Sequence, residues 1–181
     1  MTTPTVLTIL ADEFEEIEAF ASVDLLRRAK IEVTVASLNE NRHSTGRSGI
    51  TAHADVALSA VDGKLFDLLF LPGGAGVKHL RADSRVTAAV MRHHEAGKWL
   101  AAICAAPTVL NDCGLLRGKR YTAHFSVASE LADIRAGERI VTDGKIITSR
   151  GAGTAVEFGL HLVSLLTGPG KAEEIGKSIC I

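Results

Sequence analysis

Short apolar runs alternate with amphipathic segments along nearly the whole chain. TVLTILA (5–11) is rich in β-branched residues and ends at a polar cluster, which predicts a buried strand. EEIEAFASVDLLRRA (15–29) then places Ile17, Ala21 and Leu25 at four-residue spacing with Phe20 beside them, a helix face. IEVTVASL (31–38) is the next strand. A connection of about 20 residues is too long for a hairpin and suits a right-handed βαβ crossover.

The alternation recurs. SLNENRHSTGRSG (37–49) reads as a polar loop, ITAHADVAL (50–58) as an extended stretch and FDLLFLPGG (66–74) as a strand ending in glycines. SRVTAAVMRHHEAG (84–97) has a serine to cap a helix and a glycine to stop it. KWLAAIC (98–104) is a strand, followed by a helix running to Cys113 and Gly114 and by a short strand at KRYTA (119–123). RIVTDGKIITS (139–149) is a hairpin about Asp143-Gly144. TAVEFGLHLVSLLTG (154–168) is apolar on nearly every face and predicts a thoroughly buried helix. With no repeat, low-complexity segment or linker, residues 1–181 read as one α/β domain with a mostly parallel sheet. Ligands collect beyond the carboxyl ends of such strands. Three ends stand out: the acidic cluster 12–18, Gly73-Gly74 and Cys104. Side by side, they would form one pocket.

Composition narrows the function classes. The chain is 46% hydrophobic and 23% charged with a formal net charge of −1, so nothing draws it to DNA or an anionic membrane. Six Phe, one Tyr and one Trp are too few for base-stacking platforms. MTTPTVLTIL lacks a basic n-region, and no apolar run approaches the roughly 20 residues of a membrane span. Cys104, Cys113 and Cys180 make an odd number without framework spacing, which predicts reduced thiols and a cytoplasmic setting.

Cys104 is either an inert core thiol or a nucleophile. At a helix start, with Pro107 tolerated in the first turn, the dipole and free N–H groups would lower its pKa. DEFEEIE (12–18) carries five acids in seven residues, and helix-start electrostatics accounts for most of them. One that points at the thiol must be protonated, because a carboxylate would repel a thiolate whereas an acid donates to it. LPGGAG (71–76) and GAGTAV (151–156) do not complete a dinucleotide fingerprint. The glycines at 73 and 74 make either a plain tight turn or a pair of N–H donors for an oxyanion. His93 and His94 are adjacent on a helix, and no metal-ligand spacing appears. His124 lies just after a strand, as a candidate or as an ordinary surface or core histidine.

ILADEFEEIEA, VDLLRRAKIEVTVASL, LPGG, AAICAAPTVL and TSRGAGTAVEFGL, in order from about residue 5 to residue 166, together resemble the ThiJ/PfpI superfamily. They are most similar to the branch holding DJ-1 and bacterial YajL. The resemblance implies a flavodoxin-like three-layer sandwich with Cys104 as nucleophile on a strand-to-helix elbow. It implies Glu18 as the protonated acid at the sulfur, His124 as the nearby histidine, and Gly73, Gly74 and Ala105 as backbone donors to the oxyanion. It also implies a homodimer with Ile17 and Arg28 near the interface. Relatives act without cofactor or metal on α-oxoaldehydes such as methylglyoxal, as glutathione-independent glyoxalases giving lactate or as protein deglycases. The alternative is a redox-sensing stress-response protein or chaperone switched by oxidation of Cys104. Ala105 stands where the protease-like branch has histidine, which disfavours peptidase activity. Arg47, before Ser48, is displaced from the family's arginine, so an anion-binding role does not carry over.

Overall fold

The computed structural model describes residues 3–181. Strands β1 (Thr5–Leu10), β2 (Glu32–Ser37), β5 (Val56–Ala57), β6 (Leu68–Leu71), β7 (Trp99–Ile103), β8 (Ile140–Asp143) and β9 (Ile146–Ser149) form one sheet. Its order is β5-β2-β1-β6-β7-β9-β8, parallel except for β8, which runs antiparallel to β9 through the turn at Asp143-Gly144. Helices cover both faces, so the strands are buried on both sides and read as nearly continuous apolar runs.

Side-chain alternation divides the core in two. Leu69 and Leu71 of β6 join Leu7, Ile9, Leu100 and Ala102 on one face. That face is covered by α2 (Val77–Ala82), α3 (Ser84–Glu95) and α4 (Pro107–Asp112) through residues such as Leu80, Val90 and Leu110. Leu68 and Phe70 join Val6, Leu10 and Ile103 on the other face, under α1 (Glu16–Arg28) and α5 (Ala155–Thr167) through Leu26, Phe158 and Leu162. A Cβ at Gly159 would stand 2.7 Å from Leu25 Cδ1 and 3.1 Å from Ser22 Cα, so glycine lets α1 and α5 approach closely. The result is the expected three-layer α/β sandwich.

Several local expectations are corrected. The polar loop 37–49 contains β3 (His43–Thr45), which pairs with β4 (Thr51–His53) as a separate two-stranded ribbon. The extended stretch 50–58 is therefore shared between that ribbon and β5. KRYTA forms only a bridge from Tyr121 to Ile134, because its polar groups are met by side chains: the Thr122 N–H donates to Thr148 Oγ1 at 2.9 Å. The cap of α3 is Asp83, which accepts the Arg85 N–H, while Ser84 is the first helical residue. Helix α5 buries one face against α1 and leaves Leu160, Leu165 and Leu166 half-buried near α6 (Pro169–Ser178). His93 is a satisfied core histidine, its Nε2 accepting from Phe66 N–H and its Nδ1 facing Ala89 O.

Among the described residues, no helix is long and apolar enough to cross a membrane. In the sheet, β1, β6 and β7 are neighbours, so their carboxyl ends converge. That juxtaposition brings residues 12–18, 73–74 and 104 together.

Candidate active site

Cys104 follows β7 with φ of +65°, a left-handed conformation that costs an L-residue roughly 1–2 kcal/mol. Two long-range bonds hold it there. Its N–H donates to Ser149 O at 2.9 Å, and its carbonyl accepts the His124 N–H at 2.8 Å. Strain fixed from both sides in this way is characteristic of sites where a side chain must be aimed.

Glu18 lies in the first turn of α1 and is fully buried. Its backbone N–H donates to the carboxylate of Glu15 at 2.7 Å, which sets the helix start. Its side-chain Oε2 accepts the Gly73 N–H at 2.8 Å. Oε1 is buried without a hydrogen-bond partner, and the Cys104 thiol is a neighbour of the carboxyl group. A Cβ at Gly73 would lie 2.6 Å from both Cys104 Cβ and Glu18 Oε2, so only glycine fits between them. Across the site, a Cβ on Gly151 would fall 3.8 Å from Cys104 Sγ, 3.8 Å from Glu18 Oε1 and 3.4 Å from His124 Cδ2. These three side chains therefore converge on one point.

Burial is the main cause that pushes Glu18 up to about 7, reinforced by the charge of Glu15; the Cys104 thiol, the Gly73 N–H and Arg47 pull the other way. Burial also pushes Cys104 up to about 12, joined by the charge and hydrogen bond of Glu18; the N–H groups of Gly74 and Ala105 oppose this. The expectation of a thiol lowered by a helix dipole is thus overturned. Helix α4 begins only at Pro107 and has six residues, so its field at the sulfur is outweighed by desolvation and a carboxylate. The two groups titrate as a pair. With Glu18 near 7 and Cys104 near 12, the carboxyl gives up its proton first, and the thiolate beside a protonated Glu18 is the minor arrangement of the one-proton pair.

Further expectations are revised. The Gly73 N–H is committed to Glu18, which leaves Gly74 and Ala105 as the donors facing sulfur. His124 Nδ1 accepts the Ser126 N–H at 3.2 Å and meets Ser126 Oγ at 2.8 Å, which assigns the neutral ring's proton to Nε2. Its Cδ2 edge, next to Nε2, is the one turned to the site, so it presents a donor. Arg47, set aside in the sequence, acts on Glu18 through its charge. Within the acidic cluster, Glu15 and Glu16 are also buried, as the helix cap and as the acceptor of Ser48 N–H. Gly151 and Ser126 were not singled out from sequence; the glycine of TSRGAGT was the available signal. A cavity of about 550 Å³, lined by His124, Phe125, Arg150 and Gly151 among others, adjoins the site through His124 and Gly151, with neither Cys104 nor Glu18 in its wall.

A family described as DJ-1/PfpI matches residues 4–165. The chain is 38% identical to Protein dj-1beta of Drosophila melanogaster over 97% of its own length and 96% of the relative's. It is 40% identical to Protein DJ-1 homolog A of Arabidopsis thaliana over 99% of its length, but spans only 46% of that longer protein. Identity is 32% to Glutathione-independent glyoxalase DJR-1.2 of Caenorhabditis elegans, covering 94% of this chain and 92% of the relative. It is 31% to Deglycase TK1284 of Thermococcus kodakarensis, covering 89% and 98%. The solved structure of Drosophila melanogaster DJ-1beta superposes with a TM-score of 0.96 at 36% identity, covering 99% of both chains. That of oxidized Toxoplasma gondii DJ-1 gives 0.93 at 36% identity, covering 98% of both.

Proposed function

The chain belongs to the DJ-1/PfpI family, and from that premise we propose that it is a thiol-dependent enzyme acting on small α-oxoaldehydes, with methylglyoxal converted to lactate. The observation that carries this reading is the buried Glu18–Cys104 pair, with Glu18 pushed up to about 7 on a sulfur faced by two backbone N–H groups. Relatives named as a glyoxalase and a deglycase support the substrate class.

The steps balance without a cofactor. In the form where Glu18 keeps the shared proton, Cys104 Sγ adds to the aldehyde carbon and forms a C–S bond. The carbonyl electron pair moves to oxygen, held by the N–H groups of Gly74 and Ala105. Glu18 donates its proton to that oxygen, giving a hemithioacetal and a buried carboxylate. A carboxylate with a pKa near neutrality is a competent base. It removes the proton on C1 and returns it to C2 through an enediol, while His124 Nε2–H gives its proton to the C2 oxygen and takes back the proton that leaves the C1 hydroxyl as the C1 carbonyl re-forms. C1 is oxidised and C2 reduced within one molecule, leaving a lactoyl thioester. Water then cleaves the C–S bond, releasing lactate and the thiol. Deglycation uses the same addition on a carbonyl adduct of a protein side chain, which the adjoining cavity has room to admit.

A second reading, redox sensing, draws on the same atoms. Two equivalents of peroxide convert the thiol to a sulfinate with loss of two waters, and Glu18 Oε1–H, otherwise unpartnered, donates to a sulfinate oxygen. The oxidized Toxoplasma relative favours keeping it.

Methylglyoxal consumption by wild type and Cys104→Ser is the test. The variant is expected to fold with an unchanged circular dichroism spectrum and to lose turnover. Turnover that survives the substitution sinks the mechanism. A selective two-oxygen adduct on wild-type Cys104 with negligible turnover would favour the redox reading.

A further inference from the structure

A second group of ionisable side chains lies on the ribbon of β3 and β4, outside the site above. The two strands pair antiparallel with His43 opposite His53. Ala54 N–H donates to Arg42 O at 2.8 Å and Gly46 N–H to Ile50 O at 2.9 Å. Those bonds mark 42/54 and 46/50 as hydrogen-bonded positions, which leaves 43/53 at the non-hydrogen-bonded position where side chains come closest. The two imidazoles have centroids 4.8 Å apart with planes inclined at 66°. Both residues are exposed, so each ring can turn a nitrogen toward the other.

We propose that His43 and His53 form a two-imidazole site for a late first-row divalent cation, of which Ni²⁺, Cu²⁺ and Zn²⁺ are the candidates. The ring separation fits chelation. A metal–nitrogen bond of about 2.0–2.1 Å plus about 1.1 Å to the ring centre puts each centroid about 3.2 Å from the ion. Two such arms 4.8 Å apart subtend roughly 95–100° at the metal, between square-planar and tetrahedral angles. Among the described residues, no third His, Cys, Asp or Glu completes a protein-only cage, so water fills the remaining positions. The charged residues that flank the pair in sequence are engaged elsewhere. Arg42 reaches to Asp55 O, and the Asp55 carboxylate is paired with Arg27 at 2.6 Å. Imidazole selects these ions over Mg²⁺ and Ca²⁺, which prefer oxygen ligands.

The cation would add a side-chain link at the 43/53 end of the ribbon, beside the backbone bond from Ala54 N–H to Arg42 O. The other end is already anchored: Thr45 and Thr51 hydroxyls lie 3.0 Å apart, Ser48 N–H donates to Glu16 Oε1 at 2.8 Å, and Arg47 N–H donates to Phe14 O at 2.9 Å. Metal binding therefore stiffens the segment that carries Arg47 toward Glu18.

Calorimetric titration of Ni²⁺ into the untagged Cys104→Ser chain is the test, with His43→Ala and His53→Ala made singly in that background. One Ni²⁺ per chain at micromolar affinity is expected, with each substitution weakening it roughly a hundredfold through loss of the second, intramolecular ligand. Hydrogen exchange across residues 43–53 should slow with Ni²⁺ only when both histidines are present, and Mg²⁺ should give no heat. Ni²⁺ affinity little changed in either single variant, or unchanged exchange in the ribbon, overturns the proposal.

Discussion

Replacing Glu18 by Gln isolates the shared proton. The amide oxygen takes over the Gly73 N–H, and the amide N–H₂ occupies the place of the protonated Oε1 beside sulfur. The variant keeps a donor but loses the charge and the titrating proton. In wild type the pair gives up its first proton near 7, and the small thiolate fraction of the one-proton form sets an alkylation rate at Cys104 that should climb with pH and level off above about 7. In Glu18→Gln only the thiol titrates. The repulsion that helped push it to about 12 is gone, yet burial remains, so its midpoint should fall between the ordinary 9.0 and about 12. A displacement of about 2 units or more is about 3 kcal/mol of differential stabilisation of the anionic pair. The assay is iodoacetamide labelling between pH 5 and 10, with site-resolved mass spectrometry to separate Cys104 from Cys113 and Cys180. Coincident midpoints in the two proteins, or a wild-type rate that climbs unbroken past pH 9, would refute the shared-proton argument.

Stability should follow the same proton. A carboxyl raised in the fold contributes fully below its unfolded value, model-peptide 4.5, and loses that contribution as pH rises through about 7. Between pH 4.5 and 8 the wild type should lose about 3 kcal/mol relative to Glu18→Gln, read from paired urea melts; parallel pH profiles would contradict this. Gly73→Ala should destabilise by roughly 1–3 kcal/mol and suppress alkylation, because its methyl meets Cys104 Cβ, Glu18 Oε2 and the Ile103 carbonyl at 2.6–2.8 Å. A thermal midpoint and labelling rate equal to wild type would show that the loop yields. His124→Ala should cut methylglyoxal turnover by roughly 10²-fold or more while leaving Cys104 labelling nearly intact, since the ring is assigned to the C2 oxygen. Equal losses in both assays would place His124 on the thiol itself.

What the sequence disclosed follows the range of the forces involved. Strands β1, β6 and β7 announce themselves because both their faces are buried, so almost every residue must be apolar. The β3–β4 ribbon does not: of His43, Ser44 and Thr45 only Ser44 is buried, and its hydroxyl is satisfied by Ser37 Oγ at 2.9 Å, so the segment has a loop's composition. Helix α6 escaped for a related reason, burying only Ile175 and Gly176. Cys104 was legible through its setting between an apolar strand and Pro107, and Glu18 through the family motif. The upward direction of Glu18 was legible too, since an acid beside the thiol has to keep its proton, but that of Cys104 was not. A helix dipole is a local property that neighbouring residues predict, whereas desolvation depends on what the whole fold stacks above the sulfur. Glu18 reaches Cys104 across 86 positions of sequence only because β1 and β7 flank β6 and α1 starts over their ends. Once that packing excludes water, a neighbouring carboxyl outweighs a six-residue helix, and the thiol's reactivity becomes a property of the pair.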